Sequence, residues 1–181
     1  MSFRKLFVVA VALMLLPVSL LAQTKPKYLI LLIGDGMGPN VVKLYRGQMQ
    51  KTSFDRFGEP VPTGTNNVFG KTTDSAASGT ALACGIKTYN RAIGVDKEKV
   101  PVTSLAKILK SRGMRVGIVS SVGINDATPA AHYANRHYRQ ETTGIIADLV
   151  ASDFDFFGIS TFKYPKEVSH QELYNFFKRY N

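Results

Sequence analysis

The 181-residue sequence predicts an α/β fold, a three-layer α/β/α sandwich around a mostly parallel central sheet, from three features. A continuous apolar run at residues 28–33 has the character of a strand buried on both faces. Short apolar segments then alternate with longer helix-compatible stretches, the pattern of a parallel sheet with crossover helices. Polar, oxygen-bearing residues collect just after the candidate strands, where open α/β sheets bind ligands.

In chain order, the strand at 28–33 ends in Gly34-Asp35-Gly36-Met37-Gly38-Pro39-Asn40. Flanking glycines allow a tight turn and close approach by a metal or substrate, although a lone GDG is most often only a turn. Residues 67–71 are compatible with a short strand and residues 76–83 with a helix. Residues 87–100 read as a surface loop, with TYNRAIGVD near the site. A helix at 103–112, capped by Thr103 and stopped by Gly113, precedes a strand at 114–121. A helix at 141–152, a strand at 154–159 and an amphipathic helix at 167–180 complete the pattern.

Ser75 lies where a strand gives way to a helix, among residues too small to obstruct a substrate. Unpaired N–H groups and the positive end of the helix dipole favour a phosphate there, so its hydroxyl could attack a phosphoryl group while the backbone holds the oxygens. The plainer reading is that Thr73, Asp74 or Ser75 only caps the helix. Downstream, Asp126 and Thr128 offer two hard oxygen ligands two residues apart, suited to Mg²⁺, in a segment equally readable as a loop with local hydrogen bonds.

Taken in order, IGDGMG, TDSAASGTALACGIKTYNRAIGVD and DATPAAHYA resemble the alkaline phosphatase family, over residues 28–157. In that family the DSA serine is the covalent nucleophile, which implies this role for Ser75. The GDGMG aspartate lies between a zinc and a magnesium, which implies Asp35. The DATPA aspartate and threonine bind magnesium, which implies Asp126 and Thr128. An arginine that grips the phosphoryl oxygens falls on Arg139 in an ungapped register and on Arg136 in a gapped one. Arg139 is preferred because the same register aligns Ile145, Ala147, Asp148 and Leu149 and residues 154–157 with the family pattern. A planar guanidinium suits the task because it contacts two oxygens at once.

The resemblance implies hydrolysis of phosphate monoesters by two displacements through a phosphoserine. The expected cofactors are Mg²⁺ and two Zn²⁺ ions, with Ser75 and Asp35 among the metal contacts. The ions lower the pKa of the attacking oxygen and neutralise charge on the transferred group. With water on zinc reaching a pKa of about 7, no histidine base is needed beside Ser75. His132, His137 and His170 accordingly read as structural or surface residues. The family draws most zinc ligands from a C-terminal half, and no DxxxH or DH segment occurs here. The expectation is therefore that residues 23–181 are the N-terminal part of the catalytic domain, inactive alone, the remaining zinc ligands lying beyond residue 181.

A phosphodiesterase of the same superfamily would share the sheet and the metal aspartate. The sulfatase branch is disfavoured because its CxPSR motif is absent. A non-catalytic phosphate- or metal-binding remnant rests only on the missing zinc ligands.

A hydrophobic content of 45% is enough for a core. Residues 1–22 read as a signal peptide: Arg4 and Lys5, an apolar stretch at 6–16, and a cleavage region ending at Ala22, with Leu20 departing from the small-residue rule. This predicts export to the periplasm or medium. The apolar stretch, broken by Pro17, is short for a stable membrane anchor. Removing these residues takes the net charge from +10 to +8, but the basic residues are scattered and no aromatic-basic motif accompanies them, so no specific nucleic-acid partner is expected. Cys84, the single cysteine, cannot form a disulfide within the chain and reads as a buried small residue. The partners the resemblance implies are small phosphate monoesters and a second copy of the chain in a homodimer.

Overall fold

A computed structural model describes residues 27–48, 52–58, 60–161, 169 and 171. The chain divides into two units, residues 1–34 and 35–181. The segment read as a signal peptide and the helix expected at 167–180, apart from Ser169 and Gln171, lie outside the described residues.

In the first unit, residues 28–34 have no regular secondary structure, and Tyr28, Leu29, Ile30, Leu31 and Leu32 are all exposed. The buried strand expected at 28–33 is not formed. An extended segment satisfies its backbone groups only through a neighbouring strand, and the sheet among the described residues contains other strands. Lys27 places its ammonium 5.5 Å from the centre of the Tyr28 ring.

The second unit begins with helix α1 (Pro39–Gln48) and a 3₁₀ turn (Ser53–Arg56). Helices α2 (Ser75–Cys84) and α3 (Leu105–Ser111) lead to strand β1 (Gly117–Gly123). The short helix α4 (Ala127–Ala130), helix α5 (Thr142–Ala151) and strand β2 (Phe156–Thr161) follow. β1 and β2 pair in parallel, Gly117 opposite Phe156 and Val119 opposite Gly158, with α4 and α5 in the crossover between them. The α/β class therefore holds, as a parallel pair with helical crossover among the described residues.

The core is built from small side chains with a few large ones among them. Ala76, Ala83, Ala127, Ala130, Ala131 and Ala134 are buried beside Ile93, Ile124, Tyr133, Ile145, Leu149 and Phe154. Small residues let backbones approach closely. A Cβ on Gly79 would sit 3.3 Å from both the Ala131 Cβ and the Thr128 Cα, so glycine on α2 is what admits α4 to this distance. Helix α5 buries Ile145, Ile146 and Leu149, whose spacing puts them on one face. The Tyr133 hydroxyl donates to the Ile124 carbonyl at 2.7 Å, and its ring meets Phe157 edge-on at 6.2 Å.

Local chemistry moves several predicted boundaries. Residues 67–71 form a turn instead of a strand. The Asn67 Oδ1 accepts from the Phe69 and Lys71 N–H groups at 3.0 and 3.1 Å, taking donors that a ladder would need. The cap of α3 is Ser104, not Thr103, its hydroxyl accepting from the Lys107 N–H at 3.2 Å. Gly113, in the left-handed region at φ 81°, stops that helix as expected. β1 starts three residues later than predicted, and β2 starts at Phe156 because Phe154 is committed to the core. The stretch 87–100 is not surface throughout: Ala92, Ile93, Gly94 and Val95 are buried, with antiparallel bridges Ile93–Arg136 and Val95–Pro101. Its apolar AIGV centre supplies the reason.

Candidate active site

Asp74 caps α2. Its backbone is extended, and its Oδ1 accepts from the Ala77 N–H at 3.0 Å. Because Asp74 does the capping, the Ser75 hydroxyl is not engaged at the helix end. It donates instead to Asp35 Oδ1 at 3.1 Å, while the Thr128 hydroxyl donates to Asp35 Oδ2 at 2.7 Å. One carboxylate thus joins a serine 40 residues away to a threonine 93 residues away. Asp35 lies in the turn before α1, where Gly36 at φ 73° makes the reversal without Cβ strain. Thr128 stands in the first turn of α4, with Asp126 at the residue that opens it.

Arg139 lies between two carboxylates of this cluster. Its Nη1 is 3.6 Å from Asp74 Oδ2 and its Nη2 3.6 Å from Asp126 Oδ1. Both separations exceed hydrogen-bond length, so these pairings leave the guanidinium's donors available for a closer anion. Arg136, the alternative in the gapped register, is committed elsewhere, donating to Asp148 Oδ1 at 2.6 Å and to the Gly144 carbonyl at 2.8 Å.

Two residues that the sequence left as loop support the nucleophile turn. Asn90 accepts from the Asp74 N–H at 3.3 Å and the Asn67 side chain at 3.0 Å, and donates to the Thr72 carbonyl at 2.9 Å. The Arg91 N–H donates to Asp74 Oδ2 at 3.0 Å, and its carbonyl accepts from the Arg139 N–H at 2.8 Å. Arg91 adopts φ 75°, a strained conformation for a bulky residue that a surrounding network must hold. The available signal was asparagine's capacity to bond nearby backbone, in a segment already placed near the site.

His132 is half-buried, and burial lowers its pKa below the ordinary value. Its carbonyl accepts from the Ser104 hydroxyl. His137 is exposed, its carbonyl accepting from the Tyr89 hydroxyl, and His170 lies outside the described residues. Cys84 sits half-buried at the end of α2, where burial pushes its thiol pKa up, away from reactivity.

Asp35, Ser75 and Thr128 are joined by hydrogen bonds, and Asp126 lies against Arg139; the oxygen donors of these four residues are of the kind that hard divalent cations such as Mg²⁺ take. Among the described residues no three His, Cys, Asp or Glu side chains cluster as a ligand set for any metal ion.

The alkaline phosphatase family model matches residues 26–154. Alkaline phosphatase 4 of Bacillus subtilis is 41% identical over 121 residues, covering 61% of this chain and 26% of that protein. The structure of a cold-active alkaline phosphatase from a Shewanella species aligns at TM-score 0.71 and 36% identity, over 81% of this chain and 38% of that one. A variant of the alkaline phosphatase from the Antarctic bacterium TAB5, described with Mg bound, aligns at TM-score 0.50 and 42% identity, over 51% of this chain and 27% of that one. The chain thus spans about a quarter of the length of the curated relatives it matches.

Proposed function

The chain belongs to the alkaline phosphatase family, and on that premise we propose that this protein hydrolyses phosphate monoesters with Ser75 as the nucleophile. The observation that carries the reading is the Asp35 carboxylate, bonded at once to the Ser75 and Thr128 hydroxyls at the N-terminus of α2.

Ser75 Oγ attacks phosphorus, so that an Oγ–P bond forms as the bond to the leaving alcohol breaks. Asp35 Oδ1 accepts from the Ser75 hydroxyl and so orients it toward phosphorus, and the proton that Ser75 loses leaves on the departing alcohol. The first-turn N–H groups of α2 and the helix dipole stabilise charge on the phosphoryl oxygens. Arg139, held between Asp74 and Asp126 with each terminal nitrogen 3.6 Å from a carboxylate oxygen, would contact two of those oxygens through its guanidinium. Water then attacks the phosphoserine, releasing phosphate and restoring Ser75.

Asp126 and Thr128, with Asp35, would hold Mg²⁺, and Asp35 and Ser75 would contact zinc, the other zinc donors coming from outside the described residues. Bound cations would lower the pKa of the serine hydroxyl and neutralise charge on the transferred group. The description of a TAB5 variant with Mg bound supports magnesium as a cofactor. The basic and then apolar residues at 1–22 support export.

The test is turnover of p-nitrophenyl phosphate at alkaline pH with added Zn²⁺ and Mg²⁺, using protein from the whole reading frame. Ser75→Ala is expected to lower kcat at least about 100-fold and to abolish the acid-trapped phosphoserine. Unchanged turnover in that variant overturns the assignment. Hydrolysis of bis-p-nitrophenyl phosphate in preference to the monoester would instead favour the diesterase.

A further inference from the structure

We propose that Arg136 and Asp148 are positioning residues that hold the segment carrying Arg139 in place, an inference that rests on Arg139 gripping the phosphoryl group.

Asp148 grips the start of this segment with both carboxylate oxygens. Oδ2 accepts from the Asn135 N–H at 2.9 Å, and Oδ1 from Arg136 Nη2 at 2.6 Å. The same Nη2 also donates to the Gly144 carbonyl at 2.8 Å, so the guanidinium is tied to α5 at two points. That helix is itself anchored by Ile145, Ile146 and Leu149 in the core, so the grip comes from an element with little freedom to move.

The other side of the segment is bonded as firmly. Arg136 and Ile93 exchange N–H to carbonyl bonds at 2.7 and 2.9 Å, and Arg139 N–H donates to the Arg91 carbonyl at 2.8 Å. The Asn135 amide donates to the Gly94 and Val102 carbonyls, and Lys107 Nζ donates to its Oδ1 at 2.7 Å. Arg91 also binds Asp74, so one backbone stretch sets both the arginine and the carboxylate beside it.

The ion pair is kept at an energetic cost. Arg136 Nε is buried with no acceptor among the described residues, and a Cβ on Gly144 would run into it. The Arg136 and Asp148 side chains are only 27% and 24% exposed, unlike a solvated surface pair. No more than three residues of chain separate Asn135 and Arg136, which Asp148 grips, from Arg139, so a shift of the gripped residues is passed on to the backbone that carries the Arg139 guanidinium.

The experiment is a double-mutant cycle on the full reading-frame protein, with KM for p-nitrophenyl phosphate, inhibition by inorganic phosphate and thermal melting as readouts. Asp148→Asn keeps the shape but removes the charge, and is expected to raise KM and the phosphate inhibition constant about tenfold, with a smaller effect on kcat. In an Arg139→Ala background the same change should leave both constants where Arg139→Ala alone puts them. Asp148→Glu should recover part of the phosphate affinity. Arg136→Lys, which keeps the charge but loses the fork, should move KM in the same direction as Asp148→Asn and serves where that protein does not fold. Equal effects of Asp148→Asn with and without Arg139 would show a merely structural role, and no effect on either constant would equally overturn the proposal. An Arg139→Ala protein with unchanged phosphate inhibition overturns the underlying assignment of Arg139 and the proposal with it. Loss of affinity in Arg139→Ala alone, with Asp148→Asn silent, overturns only the brace.

Discussion

Residues 28–32 and residues 145–149 are both rich in large aliphatic side chains, yet they end in opposite environments. Tyr28 to Leu32 are exposed and without regular structure, whereas Ile145, Ile146 and Leu149 are almost fully buried on α5. Hydrophobicity alone therefore does not decide burial. A helix satisfies its own backbone N–H and C=O groups and needs only one covered face, while an extended segment needs a partner strand before its apolar side chains can leave water. Helix α5 meets its condition by burying that face in the core shared with Ala76, Ile93, Ile124 and Phe154. The run at 28–32 pairs with no strand among the described residues.

The largest expected effect separates these regions directly. In this 181-residue chain, Leu149→Ala should destabilise the second unit by about 2–5 kcal/mol, through lost burial and the cavity left in the core. Leu29→Ala should change stability by no more than about 0.5 kcal/mol. Denaturant unfolding of the two variants checks the contrast, and equal losses would mean that residues 28–32 are packed after all.

A smaller effect is expected at Tyr133, buried beside α5. Tyr133→Phe removes the donor to the Ile124 carbonyl and should cost about 1 kcal/mol, since that carbonyl is left buried without its partner. No loss in a chemical melt would show that the carbonyl finds another donor.

The smallest effect is a pH dependence. Burial holds His132 below its ordinary pKa, so the folded chain prefers the neutral ring more strongly than the unfolded chain does. This contribution is fully present above the unfolded value of about 6.5 and is lost as pH falls from there through the lower folded value. Melting temperatures between pH 7 and 5 should fall less steeply in His132→Gln than in the unaltered chain. Parallel curves would show that His132 titrates alike in both states.

Helices α2, α3 and α5 were legible because their determinants are local, whereas α1 was not expected and α4 formed where a loop was the plainer reading. Asp74, Ser104, Gly85 and Gly113 act within a few residues of the ends they define, and α5 needs only its own apolar spacing. The sequence erred over which hydroxyl caps α3, a choice between adjacent residues that neighbouring contacts settle. It also misread residues 67–71, where the Asn67 side chain outcompetes a ladder, and 92–95, where an apolar centre folds inward.

The candidate site was legible as a set of residues and invisible as an arrangement. Motif order and the family resemblance singled out Asp35, Ser75, Asp126, Thr128 and Arg139, whereas each motif read alone was equally a cap, a turn or a loop. The sequence had no means to show that one carboxylate joins Ser75 to Thr128, that Asn90 and Arg91 support Asp74, or that Arg136 pairs with Asp148 while Arg139 lies between Asp74 and Asp126. Those contacts join residues 12 to 93 positions apart, and the close approach of α2 and α4 at Gly79 and the buried centre of 92–95 are part of the packing around them. Local bonding decided which segments are helices, whereas long-range packing decided which of two arginines, three residues apart, faces the site.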